Sequence, residues 1–149
     1  MKISIASDHT GKKLKEKIKK YLYSLSSFQI SDKGCHSDIE CDYTYYAHAV
    51  AKDIQKNNFN FGIIITDTGN GVNMCVNKWE SIRAALCWNN EISKKSRLYN
   101  DANILIIPSS YITKIEAIEA VKNFIETPFE YGKHQSKIEK IKKPLEIIE

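Results

Sequence analysis

Apolar residues along the chain alternate between short continuous runs and longer stretches in which they recur every three or four positions. The continuous runs are typical of strands buried in a parallel sheet. They predict five strands, at residues 2–6, 28–31, 61–66, 82–87 and 104–107. The third run, 61–66, is apolar throughout and is the best candidate for a central strand.

The stretches between these runs have helical spacing and predict amphipathic helices. Three helical faces stand out: Leu14, Ile18, Tyr21, Leu22 and Leu25; Tyr43, Tyr46, Ala47, Val50, Ala51 and Ile54; and Ile115, Ile118, Val121 and Ile125. Shorter helices are predicted at 73–78 and 90–98, and a charged C-terminal helix at 133–148, broken near Pro144. Strands and helices alternate over all 149 residues, which predicts one domain built on a doubly wound parallel sheet with helices on both faces.

A loop of Thr and Gly residues follows the third strand and opens a helix. It comprises Thr66, Asp67, Thr68, Gly69, Asn70 and Gly71. Such a junction aims several backbone N–H groups at one point, which favours a phosphate or a developing oxyanion. The loop lacks the Gly-Lys-Ser/Thr ending of a Walker A motif, and Met74 stands where a dinucleotide fingerprint has its third glycine. Spacing alone leaves a tight strand-to-helix turn as an equal alternative.

A second polar cluster, with Asp8 and His9, follows the first strand. If strands one and three are neighbours, the two clusters face each other across one crevice at the carboxyl edge of the sheet. Asp8 and His9 would then hold sugar hydroxyls, and His9 could shuttle a proton near neutral pH. The alternative for Asp8 is a cap on the following helix.

Two further segments can bind a sugar or a phosphate. Lys133 and Lys137 are four residues apart, so on a helix they can grip one phosphate together. A solvated basic helix is an equal alternative for them. The segment 99–103 separates the fourth helix from the fifth strand, either as a polar turn with Asx-type bonds or as donors and acceptors for a sugar.

Charge and cysteine content exclude several classes of protein. The net charge is +4, but only Arg83 and Arg97 are arginines, whereas nucleic-acid surfaces usually combine arginine with exposed aromatic residues. We therefore predict no nucleic-acid partner, and assign the lysines of residues 12–20 to a solvated helix face. No apolar run is long enough to span a bilayer and no signal-peptide pattern is present, which predicts a cytoplasmic protein without a membrane partner. The four cysteines form no C-x-x-C pair, so reduced thiols and no metal site are expected.

The ordered set of short motifs resembles the ribose-5-phosphate isomerase B family, which also includes galactose-6-phosphate isomerase subunits. The matching pieces include SDHTG at 7–11, TGNG at 68–71, NDAN at 100–103 and GKH at 132–134. Further pieces lie at 42–47, 77–78, 82–87 and 96–97. They occur in family order over nearly the whole chain.

The resemblance implies a Rossmann-like, three-layer α/β/α sandwich with a five-stranded parallel sheet, working as a homodimer or a dimer of dimers. The active site would be shared between subunits, with the segment from about residue 133 packing on the partner. The implied reaction is aldose–ketose isomerisation of a sugar phosphate, such as ribose 5-phosphate and ribulose 5-phosphate, through an enediolate and without metal or organic cofactor. Carried over by position, Asp8, His9 and Asn100 would bind the substrate, residues 67–71 would form the oxyanion hole, and Lys133 and Lys137 would stand where the family places phosphate-binding arginines.

The chain departs from the family at the positions that perform the chemistry. Thr66 stands in place of the usual cysteine base, Val72 in place of the glutamate used by another branch, Tyr99 in place of the ring-opening histidine, and Ser110 in place of an arginine. A threonine hydroxyl is a poor substitute for a thiol. Asp67, Asp8 and Cys75 are the substitute bases considered. Asp67 is favoured because a carboxylate can remove the carbon-bound proton whose loss turns the sugar into an enediolate. The alternative is a catalytically degenerate subunit or sensor that binds a sugar phosphate.

Overall fold

The computed structural model describes residues 1–142, in which helices cover both faces of a five-stranded parallel sheet. The strands are β1 (Lys2–Ser7), β2 (Gln29–Asp32), β3 (Phe61–Thr66), β4 (Ala84–Leu86) and β5 (Ile104–Pro108). The helices are α1 (Lys12–Ser24), α2 (Tyr43–Gln55), α3 (Asn70–Val76), α4 (Asn90–Asn100), α5 (Lys114–Glu126) and α6 (Gln135–Ile141), with 3₁₀ turns at Ser109–Tyr111 and Gly132–His134. The strand order is β2-β1-β3-β5-β4. The predicted α/β/α sandwich with a parallel sheet is confirmed.

The sheet carries a separate apolar core on each face, because successive side chains of a strand point to opposite sides. One core joins α1 and α5 to strand residues Ile3, Ile5, Ile63, Ile65, Leu105 and Ile107. The other joins α2 and α3 to Ala6, Ile64, Ile104 and Ile106. Each fully buried isoleucine or leucine stabilises the fold by about 1.5–3 kcal/mol. β3 is therefore apolar at nearly every position, as its sequence predicted, whereas β1 also buries Ser4 and Ser7.

Three helices begin at side-chain caps that the sequence supplies. Asp42 accepts from the Thr44 N–H at 2.9 Å at the start of α2, and Asn89 accepts from the Ile92 N–H at 2.9 Å at the start of α4. Helix α5 opens with a capping box, in which Thr113 and Glu116 hydrogen bond to each other's backbone N–H. Such caps are each worth about 1 kcal/mol, and they fix where the helices leave the carboxyl edge of the sheet.

Helix α5 corrects one prediction about the core. Ile115 was placed on its buried face, but the side chain is 70% exposed. The buried residues are Ala117, Ala120, Val121 and Phe124, and Ile115 lies roughly 200° around the helix axis from Ala117. The two alanines of this helix, not its first isoleucine, allow it to pack closely on the sheet.

Several element boundaries also differ from the predicted ones. Strand β4 spans only Ala84–Leu86 and not the predicted 82–87. It starts late because the Arg83 N–H donates to Asn103 Oδ1 at 2.9 Å and not to a neighbouring strand. Helix α3 begins at Asn70 and not at residue 73. The predicted C-terminal helix is present as Gly132–His134 and α6, whereas the break predicted near Pro144 lies outside the described residues. Within residues 1–142, the helices are too short or too polar to cross a membrane.

Candidate active site

The carboxyl ends of β1 and β3 lie side by side where the sheet reverses its strand order. β1 pairs with β2 on one side and with β3 on the other. The backbone N–H of Asp8 donates to the Ile65 carbonyl at 3.2 Å, so the loops after these strands meet, as predicted. Doubly wound sheets bind ligands in the crevice at such a switch point.

Asp8 is held firmly at the floor of this crevice. Its Oδ1 accepts from the Thr10 hydroxyl at 2.5 Å and from the Gly11 N–H at 2.9 Å, and the residue is only 7% exposed. Through one oxygen this carboxylate therefore holds the turn that leads into α1. It is not the helix cap of the alternative prediction, because the N-cap of α1 is Gly11, which has no side-chain cap. Within residues 1–142, Oδ2 has no hydrogen-bond donor and remains able to accept from a ligand.

His9 follows Asp8 and presents an unusual buried nitrogen. Its Nδ1 atom is shielded from solvent and has no hydrogen-bond partner among the described residues. A buried polar atom of this kind costs about 1–3 kcal/mol when left unpaired. His9 thus presents a polar ring atom that the described chain leaves without a partner, and its contact with a substrate stays a prediction.

The loop 66–71 owes its shape to two glycines. Gly69 has φ 75°, a left-handed conformation that glycine adopts without strain, and an added Cβ there would lie 2.5 Å from Leu86 Cδ1. Gly71 lies against the Tyr43 ring, which leaves no room for a side chain. Thr68 Oγ1 accepts from the Asn70 N–H at 3.3 Å. The loop therefore needs glycine for its own geometry.

Tyr43 is a residue of this site that the sequence analysis did not select. It begins α2, it is 39% exposed, and its hydroxyl sits over Gly71. Its signal in the sequence was the Asp-Tyr pair at 42–43, which was noted as a family motif and given no role.

Asp67 and its neighbour Thr66 are clamped by the turn that follows β5. The Ser110 N–H donates to the Asp67 carbonyl at 3.2 Å, and the Ser110 hydroxyl donates to the Asp67 carboxylate. The Ser109 hydroxyl donates to the Thr66 carbonyl at 3.3 Å. Asp67 is exposed, whereas Thr66 is 5% exposed at the end of β3. The Asp67 carboxylate is therefore both oriented and accessible to solvent, whereas the Thr66 side chain is buried.

A cavity of about 440 Å³ opens beside the loop. Its walls are mostly apolar and combine Thr68 and Asn70 with residues that were not predicted: Leu86, Trp88, Pro108 and Tyr111. Trp88 and Tyr111 are 51% and 69% exposed. Both follow a strand at its carboxyl end, which is the signal that could have identified them. The volume is in the range of small-molecule sites.

Tyr99 and Asn100 lie at the other edge of the sheet, where α4 turns into β5. Two arginines build this turn around Asp101, which has φ 45°. Arg97 Nη1 contacts Asp101 Oδ1 at 2.8 Å and the Ala102 carbonyl at 2.6 Å, and Arg83 Nη2 contacts Asp101 Oδ2 at 3.0 Å. Arg83 Nε also donates to the Asn100 carbonyl at 3.0 Å. Both arginines of the chain thus support the fold and hold residues 99–100 at the surface.

Lys133 and Lys137 lie with Tyr99, on the C-terminal segment that packs under this turn. His134 stacks on Tyr99 with ring centroids 4.8 Å apart, and the Glu130 N–H donates to the Leu98 carbonyl at 3.0 Å. Both lysines are exposed.

The predicted site residues therefore form two groups on opposite edges of the sheet. The carboxyl-edge group contains Asp8, His9, Thr66, Asp67, Thr68, Gly69, Asn70 and Gly71, and the amino-edge group contains Tyr99, Asn100, Lys133 and Lys137. Strands of five or six residues separate the two edges by about 17–20 Å. One chain therefore does not bring the two groups together.

Within residues 1–142, no cluster of three acidic, cysteine or histidine side chains forms a metal site.

Comparison with known proteins finds the family of the sequence resemblance over nearly the whole chain. The family described as Ribose/Galactose Isomerase matches residues 3–141. Ribose-5-phosphate isomerase B of Escherichia coli is 33% identical over 140 residues, covering 94% of this chain and 93% of the relative. The crystal structure of a ribose 5-phosphate isomerase from Thermotoga maritima superposes with a TM-score of 0.92, at 40% identity, covering 95% of this chain and 97% of that one.

A second solved structure contains a ligand. Ribose-5-phosphate isomerase B of Mycoplasma genitalium, crystallised with bound ribulose-5-phosphate, superposes with a TM-score of 0.90 at 38% identity, covering 95% of this chain and 93% of that one. Fold, motif order and matched length agree, and the chain belongs to the ribose/galactose isomerase family.

Proposed function

We propose that the chain is an aldose–ketose isomerase that interconverts ribose 5-phosphate and ribulose 5-phosphate. The observation that carries the proposal is the convergence of Asp8, His9 and the Gly loop in one crevice at the β1/β3 switch point. Support also comes from the Mycoplasma genitalium relative, whose crystal structure holds ribulose-5-phosphate.

The Gly loop stabilises the charge that develops during the reaction. Isomerisation removes the proton from C2 of the open-chain aldose and returns a proton to C1, and the carbonyl oxygen carries negative charge in the enediolate between these steps. The proposed donors are backbone N–H groups of this loop, whose conformation Gly69 and the Thr68 hydroxyl fix before the substrate arrives. The Asn70 N–H donates to Thr68 Oγ1 at 3.3 Å and would have to leave it to serve as one of them. Removing one such donor typically costs about 3 kcal/mol of transition-state stabilisation.

Asp67 is the proposed base that moves the proton between the two carbons. Its carboxylate accepts from Ser110, which lies between the cavity residues Pro108 and Tyr111. Asp8 is less suited to this role, because its Oδ1 already accepts from two donors in the α1 entry. Cys75 is directed elsewhere, since its sulfur lies 3.5 Å from His48 Nε2 on the outer side of α2. Thr66 then shapes the end of β3 beside the reacting carbons.

A second copy of the chain would complete the site. The amino-edge group lies about a sheet length from the crevice of its own chain, so Tyr99, Asn100, Lys133 and Lys137 can act only on a substrate held by another copy. In a symmetric pair each crevice receives these residues from its partner. Lys133 and Lys137 would bind the phosphate, Asn100 a sugar hydroxyl, and Tyr99 would pass the proton that opens the sugar ring.

Exchange of the C2 proton with solvent tests the proposal directly. Ribose 5-phosphate incubated with the purified protein in D₂O is expected to lose its C2 proton signal in NMR as ribulose 5-phosphate forms. Heat from ribulose 5-phosphate binding in calorimetry without any exchange would instead support a catalytically degenerate binding subunit or sensor. The specific observation in favour of that alternative is the pair Thr66 and Tyr99 at the positions of the family's base and ring-opening residue. Absence of both exchange and binding would contradict both functions.

A further inference from the structure

His134 lies at the amino edge of the sheet with Tyr99, and the two rings stack. Their centroids are 4.8 Å apart and their planes meet at 25°. His134 ends the 3₁₀ turn Gly132–His134, directly before α6. It belongs to the GKH motif, which matches the family and has no role in the proposed function. The fold therefore places an imidazole beside the tyrosine that stands where the resemblance implies a ring-opening histidine.

The His134 ring is enclosed on one side and faces a carboxylate there. Its side chain is 12% exposed, and Nε2 lies 3.1 Å from Glu130 Oε2. Nε2 is shielded from solvent, and its alignment leaves it without a hydrogen-bond partner among residues 1–142. Glu130 is itself held, because its N–H donates to the Leu98 carbonyl at 3.0 Å. A carboxylate this close favours the neutral tautomer with its proton on Nε2, so Nδ1 is the nitrogen that can accept a proton.

Opening a furanose ring requires two proton transfers. The bond between C1 and the ring oxygen O4 breaks, O1 loses its proton as the carbonyl forms, and O4 gains a proton as it becomes a hydroxyl. A phenol is protonated near neutral pH, so a tyrosine can supply the proton for O4 but cannot take the one from O1. A neutral imidazole accepts protons in this pH range. O1 and O4 are bonded to the same carbon, and an acid and a base side by side suit them.

We propose that His134 is the base of ring opening and accepts the O1 proton, while Tyr99 protonates O4, on a substrate held by a second copy of the chain. Each proton is accounted for, since O1 passes one to His134, Tyr99 passes one to O4, and exchange with water returns both side chains to their starting forms. The inference rests on the proposed function and on the shared site. A contact to the phosphate is the other role suited to a histidine between Lys133 and Lys137, and the experiment separates the two roles.

Two reactions of the same pair of sugars differ only in ring opening. Ribose 5-phosphate is a closed ring that must open before its C2 proton can leave. Ribulose 5-phosphate cannot close a five-membered ring, because its O5 carries the phosphate. Exchange of its C1 proton with D₂O therefore needs the base and the enediolate but no ring opening. A group that acts only in ring opening affects the first reaction and spares the second, whereas a phosphate ligand affects both.

The substitution His134→Asn tests the assignment in these two assays. Turnover of ribose 5-phosphate is expected to fall at least about 10²-fold, while C1 exchange of ribulose 5-phosphate, followed by NMR, stays within about twofold of the wild type. Retained exchange also shows that the variant is folded. Tyr99→Phe should give the same split. His36→Asn, which changes an exposed histidine of the loop between β2 and α2, is the matched control and should change neither rate. Equal losses in both reactions, or unchanged turnover in His134→Asn, would overturn the proposal.

The protonation state of the ring gives a readout that needs no substrate. In ¹⁵N NMR of the ligand-free protein at mildly alkaline pH, His134 is expected to carry its proton on Nε2, and Glu130→Gln should weaken this preference. A neutral ring with its proton on Nδ1 would overturn the role of acceptor. Wild-type protein that neither turns over ribose 5-phosphate nor exchanges ribulose 5-phosphate would contradict the proposed function and this inference with it. An active wild type whose His134→Asn variant loses both reactions equally contradicts this inference alone.

Discussion

Asp67 and Ser110 form a pair at the rim of the cavity that explains two departures from the family at once. The resemblance implies glycine where this chain has Asp67 and arginine where it has Ser110, and here the Asp67 carboxylate accepts from the Ser110 hydroxyl. The pair puts an acceptor beside the Gly loop and removes a fixed positive charge. Serine in place of arginine suits a carboxylate base. A neighbouring arginine would bind the carboxylate and lower its affinity for the proton that it must take from the substrate.

Replacing Asp67 with asparagine tests the proposed base with little change in shape. We expect kcat for ribose 5-phosphate to fall by about 10²–10⁴-fold, the usual contribution of a positioned general base, while KM changes little. A coupled assay of ribulose 5-phosphate formation measures both constants. Asp38→Asn is the control. Asp38 is an exposed carboxylate in the loop between β2 and α2, and its Oδ1 lies 2.9 Å from Lys12 Nζ. Unchanged turnover in Asp67→Asn would rule this residue out as the base.

Asp32 gives the fold a predictable sensitivity to acid. Partial burial favours its neutral form, but hydrogen bonds from Lys15, Lys19 and the Gly34 N–H outweigh burial and hold the pKa of Asp32 below its ordinary 3.8. A carboxyl group whose pKa is lower in the folded state stabilises the protein above its unfolded pKa. This stabilisation is lost as the pH falls through the lower, folded value.

The substitution Asp32→Asn should therefore destabilise the protein in a pH-dependent manner. Near neutral pH we expect a loss of about 2–4 kcal/mol, because the fully buried Lys15 would keep its charge without a counterion. Below pH 3.8 the difference from the wild type should shrink toward zero. Urea unfolding at a series of pH values measures it. A difference that stays constant down to the acid range would show that the ion pair does not act through the Asp32 charge.

Among the elements, the buried strands could be predicted well and the polar turns less well. The runs that became β3 and β5 are apolar on both faces, which only a central strand of a parallel sheet requires. The ends of β4 and the start of α3 depend on long-range hydrogen bonds, such as the Arg83 N–H to Asn103, and on the left-handed Gly69. Neither leaves a periodic pattern. Ile115 was misplaced because an isoleucine in a first helical turn fits an apolar stripe whether or not the sheet extends below it.

Gly69→Ala tests how strongly the loop between β3 and α3 depends on glycine. The left-handed conformation costs an L-residue about 1–2 kcal/mol, and the new Cβ would lie 2.5 Å from Leu86 and 2.9 Å from Ile106. We expect a total loss of about 2–4 kcal/mol in urea unfolding, together with loss of sugar-phosphate binding. Gly132→Ala is the matched control, because Gly132 has φ 59° but nothing within 4 Å of an added Cβ. Equal effects of the two substitutions would show that packing under the loop contributes nothing.

At the scale of the whole molecule, the sequence supplied candidate site residues but did not show which edge of the sheet each one occupies. The loop residues and the pair Asp8–His9 follow strands, and topology brings them to one edge. Tyr99 and Asn100 precede β5 and are therefore fixed at the opposite edge by the same topology. This separation follows from the sequence only when one notes that all strands run parallel, so residues that follow a strand and residues that precede one lie at opposite edges. The cavity wall of Trp88 and Tyr111 was missed because isolated aromatic residues in loops form no motif.

Paired inactive variants test whether two copies share each site. Asp67→Asn removes the proposed base from the carboxyl edge, and Asn100→Ala removes a sugar contact from the amino edge, so each homo-oligomer is expected to be nearly inactive. In a heterodimer, one crevice would carry both substitutions and the other would carry neither. Co-expression with two different tags and tandem purification isolates this heterodimer, whose activity should recover to about half that of the wild type. Because both substitutions are conservative in a folded scaffold, thermal unfolding of each variant should stay near that of the wild type. A heterodimer as inactive as its parents would place both groups of residues at the same crevice, and a fully active Asn100→Ala homo-oligomer would exclude this residue from the reaction. Either result would contradict the shared site.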